Sequence, residues 1–178
     1  MTKTSTKKRI FIVEYGYELF NKGGFSNITI NKIAKAGHFS VMSIYYIFSS
    51  KEALQNEILS IALGSFKSKL SYKTAKSVSE LNERLMAAFK EVPGLIHEVI
   101  CNNEVVINRL TGIVAPLLSE SVHTDIKVAL FLICSAIALT ENINLKISSE
   151  DTLKTISRMN NNLNPILDPN DEQERLQA

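Results

Sequence analysis

Residues that punctuate a chain are scarce here. Seven glycines and four prolines in 178 residues are too few for an all-β sandwich or barrel, which needs turn signals about every 8–12 residues. Cysteine is nearly absent: Cys101 and Cys134 stand alone with no CxxC spacing. That excludes a cysteine zinc cluster and a disulfide framework, and it fits a reducing cytoplasm. Long hydrophobic runs are missing too. The most apolar stretch, "VALFLICSAIALT" at 128–140, has 13 residues, whereas a spanning helix takes about 20. A membrane partner is not expected. The basic start, "MTKTSTKKRIF", has no apolar core and no small-residue cleavage site, so no signal peptide is expected. Nor is there a metal or nucleophile constellation. His97 and His123 lie 26 positions apart and no acid–base pair stands out, so no metal, cofactor or catalytic residue is assigned and an enzyme is not expected.

What the chain does have is apolar content and an uneven charge. Residues A, V, I, L, M, F, W, Y and C make up 45%, enough for a real core. Positions 1–51 carry eight lysines and arginines against two acids, a net +6, and the remainder carries twelve against sixteen, a net −4. A basic head on an acidic body suits a polyanionic partner at the head.

Apolar spacing is helical throughout. Ile12, Tyr15, Gly16, Leu19 and Phe20 share one face of a helix expected over 9–22, which Gly23-Gly24 ends. Thr29 is placed to cap a short second helix with the apolar stripe Ile30, Ile33, Ala34 and Gly37. Ser40 can cap a third, 41–48, that buries Ile44 and Phe48 one turn apart. Ser49 or Ser50 caps a fourth, beginning "KEALQNEILSIAL". Two short helices across a tight turn, packed on an amphipathic first helix, describe a helix-turn-helix. The third helix then offers Val41, Met42, Ser43, Tyr45 and Tyr46 to a partner. In a major groove its N-terminal residues meet base edges, hydroxyls and helix N-termini bond phosphates, and Lys51 neutralises another phosphate.

Residues 9–60 resemble the DNA-binding domain of the TetR family of transcriptional regulators. The likeness rests on Ile12, Val13, Leu19, Phe20, Gly24, Phe25, Thr29, Ile33, Ala34, Ser40, Ile44, Tyr45, Phe48, Ser50, Lys51, Glu52 and Leu54, in order and at matching spacing. It implies an all-α regulator that binds double-stranded DNA, most often a repressor, through Thr29, Ser40, Val41, Met42, Ser43, Tyr45, Tyr46 and Lys51. Three departures bear on what is read. Gly37 comes one place early, leaving His38 at the turn position where glycine is usual; histidine tolerates positive φ better than most residues. Val41-Met42 stands where the family has Lys-Gly, which removes a phosphate contact and opens apolar contact with a thymine methyl. Tyr46 replaces a common histidine.

The organisation expected is a DNA-binding domain over 6–66, with the helix-turn-helix at about 29–48, a helical dimerisation and ligand-binding domain over 67–164, and an acidic frayed tail over 165–178. "GSFKSKLSYKTAKSVSE" reads as a polar link between the halves, or as the frayed end of the fourth helix. Ser77–Glu80 has capping-box spacing for a helix to about Val92, which Pro93-Gly94 breaks. Helices follow over "LIHEVI" and over "NNEVVINRLTGIVAPLL", the latter disturbed near Pro116, then over 124–142, and a last one opens at "SSED", 148–151. Between Ile126 and Leu139, 12 of 14 residues are apolar, so that helix must be covered all round. The resemblance implies a homodimer built on the last two helices, here Ile126, Leu130, Ile133, Ile137, Leu153 and Ile156. It also implies a pocket for a small effector, expected to be apolar or amphipathic, with His97, Cys101, Asn102, Asn103, Arg109, His123 and Glu141 as candidates. The same features admit two other readings: a helical dimeric module that has lost specific DNA binding, and an α-helical enzyme.

Overall fold

A computed structural model describes residues 3–70, 75, 78–117, 126, 129, 130, 132–134 and 137. All regular structure among them is helical: α1 Lys3–Asn27, α2 Ile30–Ala36, α3 Val41–Ile47, α4 Lys51–Lys69, α5 Val78–Glu91, α6 Pro93–Ile100 and α7 Glu104–Val114, closed by a 3-10 turn over Ala115–Leu117. The all-α fold with an N-terminal helix-turn-helix is as expected.

The first helix starts six residues earlier than its apolar face suggests, at Lys3 instead of Arg9. It passes through a kink at Gly23-Gly24 before ending at Asn27. Gly24 sits at φ 65°, ψ −164°, a conformation open essentially only to glycine. Of the face read from spacing, Ile12, Gly16, Leu19 and Phe20 are buried and Tyr15 is half-buried, with Val13 buried beside them. Gly16 brings α1 onto α4, for a β-carbon there would lie 2.6 Å from Ile58 Cδ1. Phe25 returns to the interior against Phe20, ring centroids 5.0 Å apart.

The polar link is helix for its first part. Helix α4 runs on to Lys69 and buries Phe66 and Leu70 behind an exposed row of Lys67, Ser68 and Lys69. Phe66 meets the Phe89 ring of α5 at 4.8 Å, and Lys69 Nζ reaches Glu91 Oε2 at 3.2 Å. Helix α5 opens at Val78, as the capping-box spacing suggests; Ser77 itself lies outside the described residues.

Helix α6 is the centre of the described body. Pro93 ends α5 and starts α6 at once, because its fixed φ suits a first helical turn and it needs no donor there. Every residue from Gly94 to Ile100 is buried, and α1 is the helix it packs against most extensively. The close approach depends on Gly94: a β-carbon there would lie 2.6 Å from the Phe20 carbonyl oxygen. Asn103 caps α7, its side-chain oxygen accepting from Val106 N–H at 3.4 Å. The helix yields to the 3-10 turn at Ala115-Pro116, as expected of that proline.

Of the stretch read as a helix over 124–142, the described positions 126, 129, 130, 132–134 and 137 are helical. Leu130, Cys134 and Ile137 are buried, while Leu132 is 55% exposed. Burial pushes the Cys134 thiol well above its ordinary pKa. The cap at 148–151, the last helix, the tail, and His123, Glu141, Leu153 and Ile156 lie outside the described residues.

Candidate nucleic-acid interface

The site is built from three serine and threonine caps and one unusual turn. Thr29 Oγ1 accepts from Lys32 N–H at 3.2 Å and starts α2. The helix ends in a Schellman pattern: Phe39 N–H donates to Ala34 C=O at 2.8 Å and His38 N–H to Lys35 C=O at 3.4 Å. His38 occupies the left-handed position, φ 53°. So the histidine takes the conformation usually given to glycine, while Gly37 at φ −90° needs none. Gly37 is required for space instead, since a β-carbon there would lie 2.7 Å from the Phe11 ring and collide with the Phe39 ring. Those rings meet edge-on at 5.5 Å and brace the turn against α1.

Ser40 then caps α3. Its Oγ accepts from Ser43 N–H at 3.1 Å and lies 2.8 Å from Ser43 Oγ. Ile44 and Phe48 face inward and are buried. Arg9 of α1 lies over the Phe48 ring, 4.6 Å from its centroid, and pairs with Glu57 of α4. That ion pair locks α1 and α4 together over the end of α3. Ser50 caps α4 by accepting from Ala53 N–H at 3.1 Å. The Glu52 carboxyl is held below its usual range by a backbone hydrogen bond and then by the Ser50 hydroxyl.

The outward face of α3 is aromatic and aliphatic. Met42 is 75% exposed and Tyr46 90%, with Val41 and Tyr45 also exposed. Ser40, Met42, Ser43, Tyr45 and Tyr46 share an open cleft of about 600 Å³ with Ile47, Ser5 and Lys8. Five of the eight candidate DNA residues are therefore brought together. Val41 stands beside the cleft on α3, and Thr29 and Lys51 mark the starts of α2 and α4. Ser5 and Lys8 were not singled out from the sequence. Extending the spacing of Ile12 back by one and two turns would have found them. Lys8 Nζ lies 5.5 Å from the Phe39 ring.

Residues 12–58 match the family model described as bacterial regulatory proteins, tetR family. The chain carries a TetR-family DNA-binding domain. That makes it a DNA-binding transcriptional regulator, with a match spanning about a quarter of its length. No curated protein and no solved structure was found to match it.

The TetR-type domain meets the body at a second cleft, of about 460 Å³, where Lys22, Phe25, Asn27 and Lys32 face His97, Glu98 and Cys101. Glu98 is the residue that sequence reasoning missed. Its Oε1 accepts from Phe25 N–H at 2.6 Å and its Oε2 from Asn103 Nδ2 at 2.6 Å. A β-carbon on Gly24 would collide with Oε1 and come 3.0 Å from His97 Cβ, so the glycine makes room for the carboxyl. Burial raises the Glu98 pKa, with the two hydrogen bonds opposing it. Burial lowers that of His97 and keeps the ring neutral near pH 7. Of the effector candidates, His97 and Cys101 line this cleft, Asn102 is a turn residue at φ 56° and Arg109 is exposed. Among the described residues, no helix is long and apolar enough to cross a membrane.

Proposed function

We propose that this regulator represses transcription as a homodimer, laying α3 of each subunit in the major groove of a two-fold operator. One observation carries the reading. A helix of seven residues has its N-terminus capped and its inner face anchored by Ile44 and Phe48, yet leaves Val41, Met42, Tyr45 and Tyr46 uncovered by its own chain. A structural helix of that length would bury its aromatics; a reading helix must not. In this arrangement Met42 and Ser43 face base edges, Tyr45 and the hydroxyls at Thr29 and Ser40 lie along the phosphates, and Lys51 supplies a phosphate-neutralising charge. Two subunits would present their helices about 34–36 Å apart, one helical turn of DNA. The exposed Leu132 beside buried Leu130 and Ile137 supports the second subunit's place on that helix, with Ile126 and Ile133, both half-exposed, on its path.

The second cleft supports release by a small amphipathic effector. A ligand seated on His97 and Cys101 would press on Phe25 and Lys32, and so on the start of α2. Its coupling to DNA is reciprocal, typically about 1–3 kcal/mol. The protein acts in the cytoplasm, where its DNA is. The test is a mobility-shift titration against DNA upstream of its own gene, followed by selection from random duplexes. Sequence-selective binding that an effector weakens is expected. Binding without any sequence preference would favour a module that has lost its operator.

A further inference from the structure

We propose that the operator half-site is read chiefly through thymine methyl groups, with Met42 as the principal reader. The inference rests on the placement of α3 in the major groove.

Helix α3 reads VMSIYYI and contains no cation, carboxylate or amide side chain. Guanine is ordinarily read by arginine or lysine, adenine by asparagine or glutamine, and cytosine by an acid. None of those forks exists on this helix. Ser40 Oγ accepts from Ser43 N–H, and the 2.8 Å contact between the two serine oxygens uses one of their two protons; a serine hydroxyl pairs with more than one base and so discriminates little. What the N-terminal half of α3 has left for discrimination is apolar. Met42 is the most exposed residue of its first turn at 75%, and Tyr46, one turn on along the same face, is 90% exposed. Single exposed apolar residues are ordinary, but here they cluster on the one helix face whose N-terminus enters the groove. In the major groove the only apolar group on any base is the C5-methyl of thymine. A thioether beside that methyl excludes water from both, and a buried methyl contributes about fourfold in affinity, the equivalent of about 0.8 kcal/mol per CH2.

The experiment uses the full-length protein and the best duplex selected from random sequence. Each thymine is replaced in turn by deoxyuridine, which deletes the methyl and leaves the base pair and the O4 acceptor intact. A loss of about fourfold is expected at one or two thymines per half-site. Met42→Ala should erase the difference between thymine and uracil at one of them, and Met42→Leu should keep it. Putting 5-methylcytosine and its partner guanine at that position should recover part of the methyl effect relative to cytosine. A tight, selective duplex indifferent to uracil at every position would overturn this proposal and leave the DNA-binding reading standing. If no sequence is selected at all, both fall.

Discussion

Replacing Glu98 by alanine removes the carboxylate that serves two part-buried donors, one through each oxygen. Phe25 N–H follows the left-handed Gly24 at the kink of α1, and Asn103 Nδ2 belongs to the cap of α7. A donor left unsatisfied in a buried place costs about 1–3 kcal/mol. Two donors would give more, but the lost carboxylate also relieves its own burial, which is what raises its pKa. Both donors are only part-buried, so the net expectation is about 1–3 kcal/mol, or a fall in Tm of roughly 2–12 °C for a chain of this size. Glu98→Gln keeps the shape and one acceptor for Phe25 N–H, so about 1 kcal/mol is expected of it. The pH dependence carries a sign that separates the two effects. A carboxyl whose folded pKa is raised binds its proton more tightly folded than unfolded. Its ionisation therefore destabilises the fold as pH rises from the unfolded glutamate value, about 4.3, to the raised folded one, and the penalty is constant above that. The wild type should lose stability relative to Glu98→Gln across that window as pH rises. Urea titrations followed by circular dichroism at several pH values measure both. An alanine variant within about 0.5 kcal/mol of wild type at pH 7 would refute the two-donor accounting.

Three further outcomes are expected. His38→Gly should stabilise by about 0.5–1 kcal/mol, because the left-handed φ of 53° costs a residue with a β-carbon and not a glycine; a lower Tm would mean the imidazole does something the turn needs. Lys51→Ala should cut the log–log salt slope of DNA binding by about 0.9 and weaken all sequences alike, which fluorescence anisotropy across a salt series reads directly. Ile133→Glu should give monomers by light scattering, and since Ile133 is only half-buried in one chain the monomer should stay folded; a wild type that is already monomeric at micromolar concentration would sink the dimer.

Local chemistry was the legible part of this protein. Thr29, Ser40 and Ser50 act as caps because a hydroxyl's reach to the third amide beyond it depends on nothing distant. The turn at His38 could be read for the same reason, as could the burial of Ile44 and Phe48. The early start of α1 was misread, because its first residues are charged or hydroxyl-bearing and show no apolar spacing. The end of α4 was left open between link and helix for the same reason, with Phe66 the one apolar residue in its last turn. Glu98 had no signal at all. An acid among apolar residues on a short helix reads as a surface position, and the donor that makes burial tolerable is a backbone amide 73 residues earlier.

The complete enclosure of α6 has a kinetic meaning. A helix buried from Gly94 to Ile100 has no face on which it can wait in water. Its most extensive partner, α1, is separated from it by residues 28–92, so the loop between them must close before that burial is gained. Docking α6 is thus the event that should set the folding rate. The helices on either side of it should melt as one cooperative unit, and a chain cut after α4 would strip from Phe20 the Gly94 backbone packed against it.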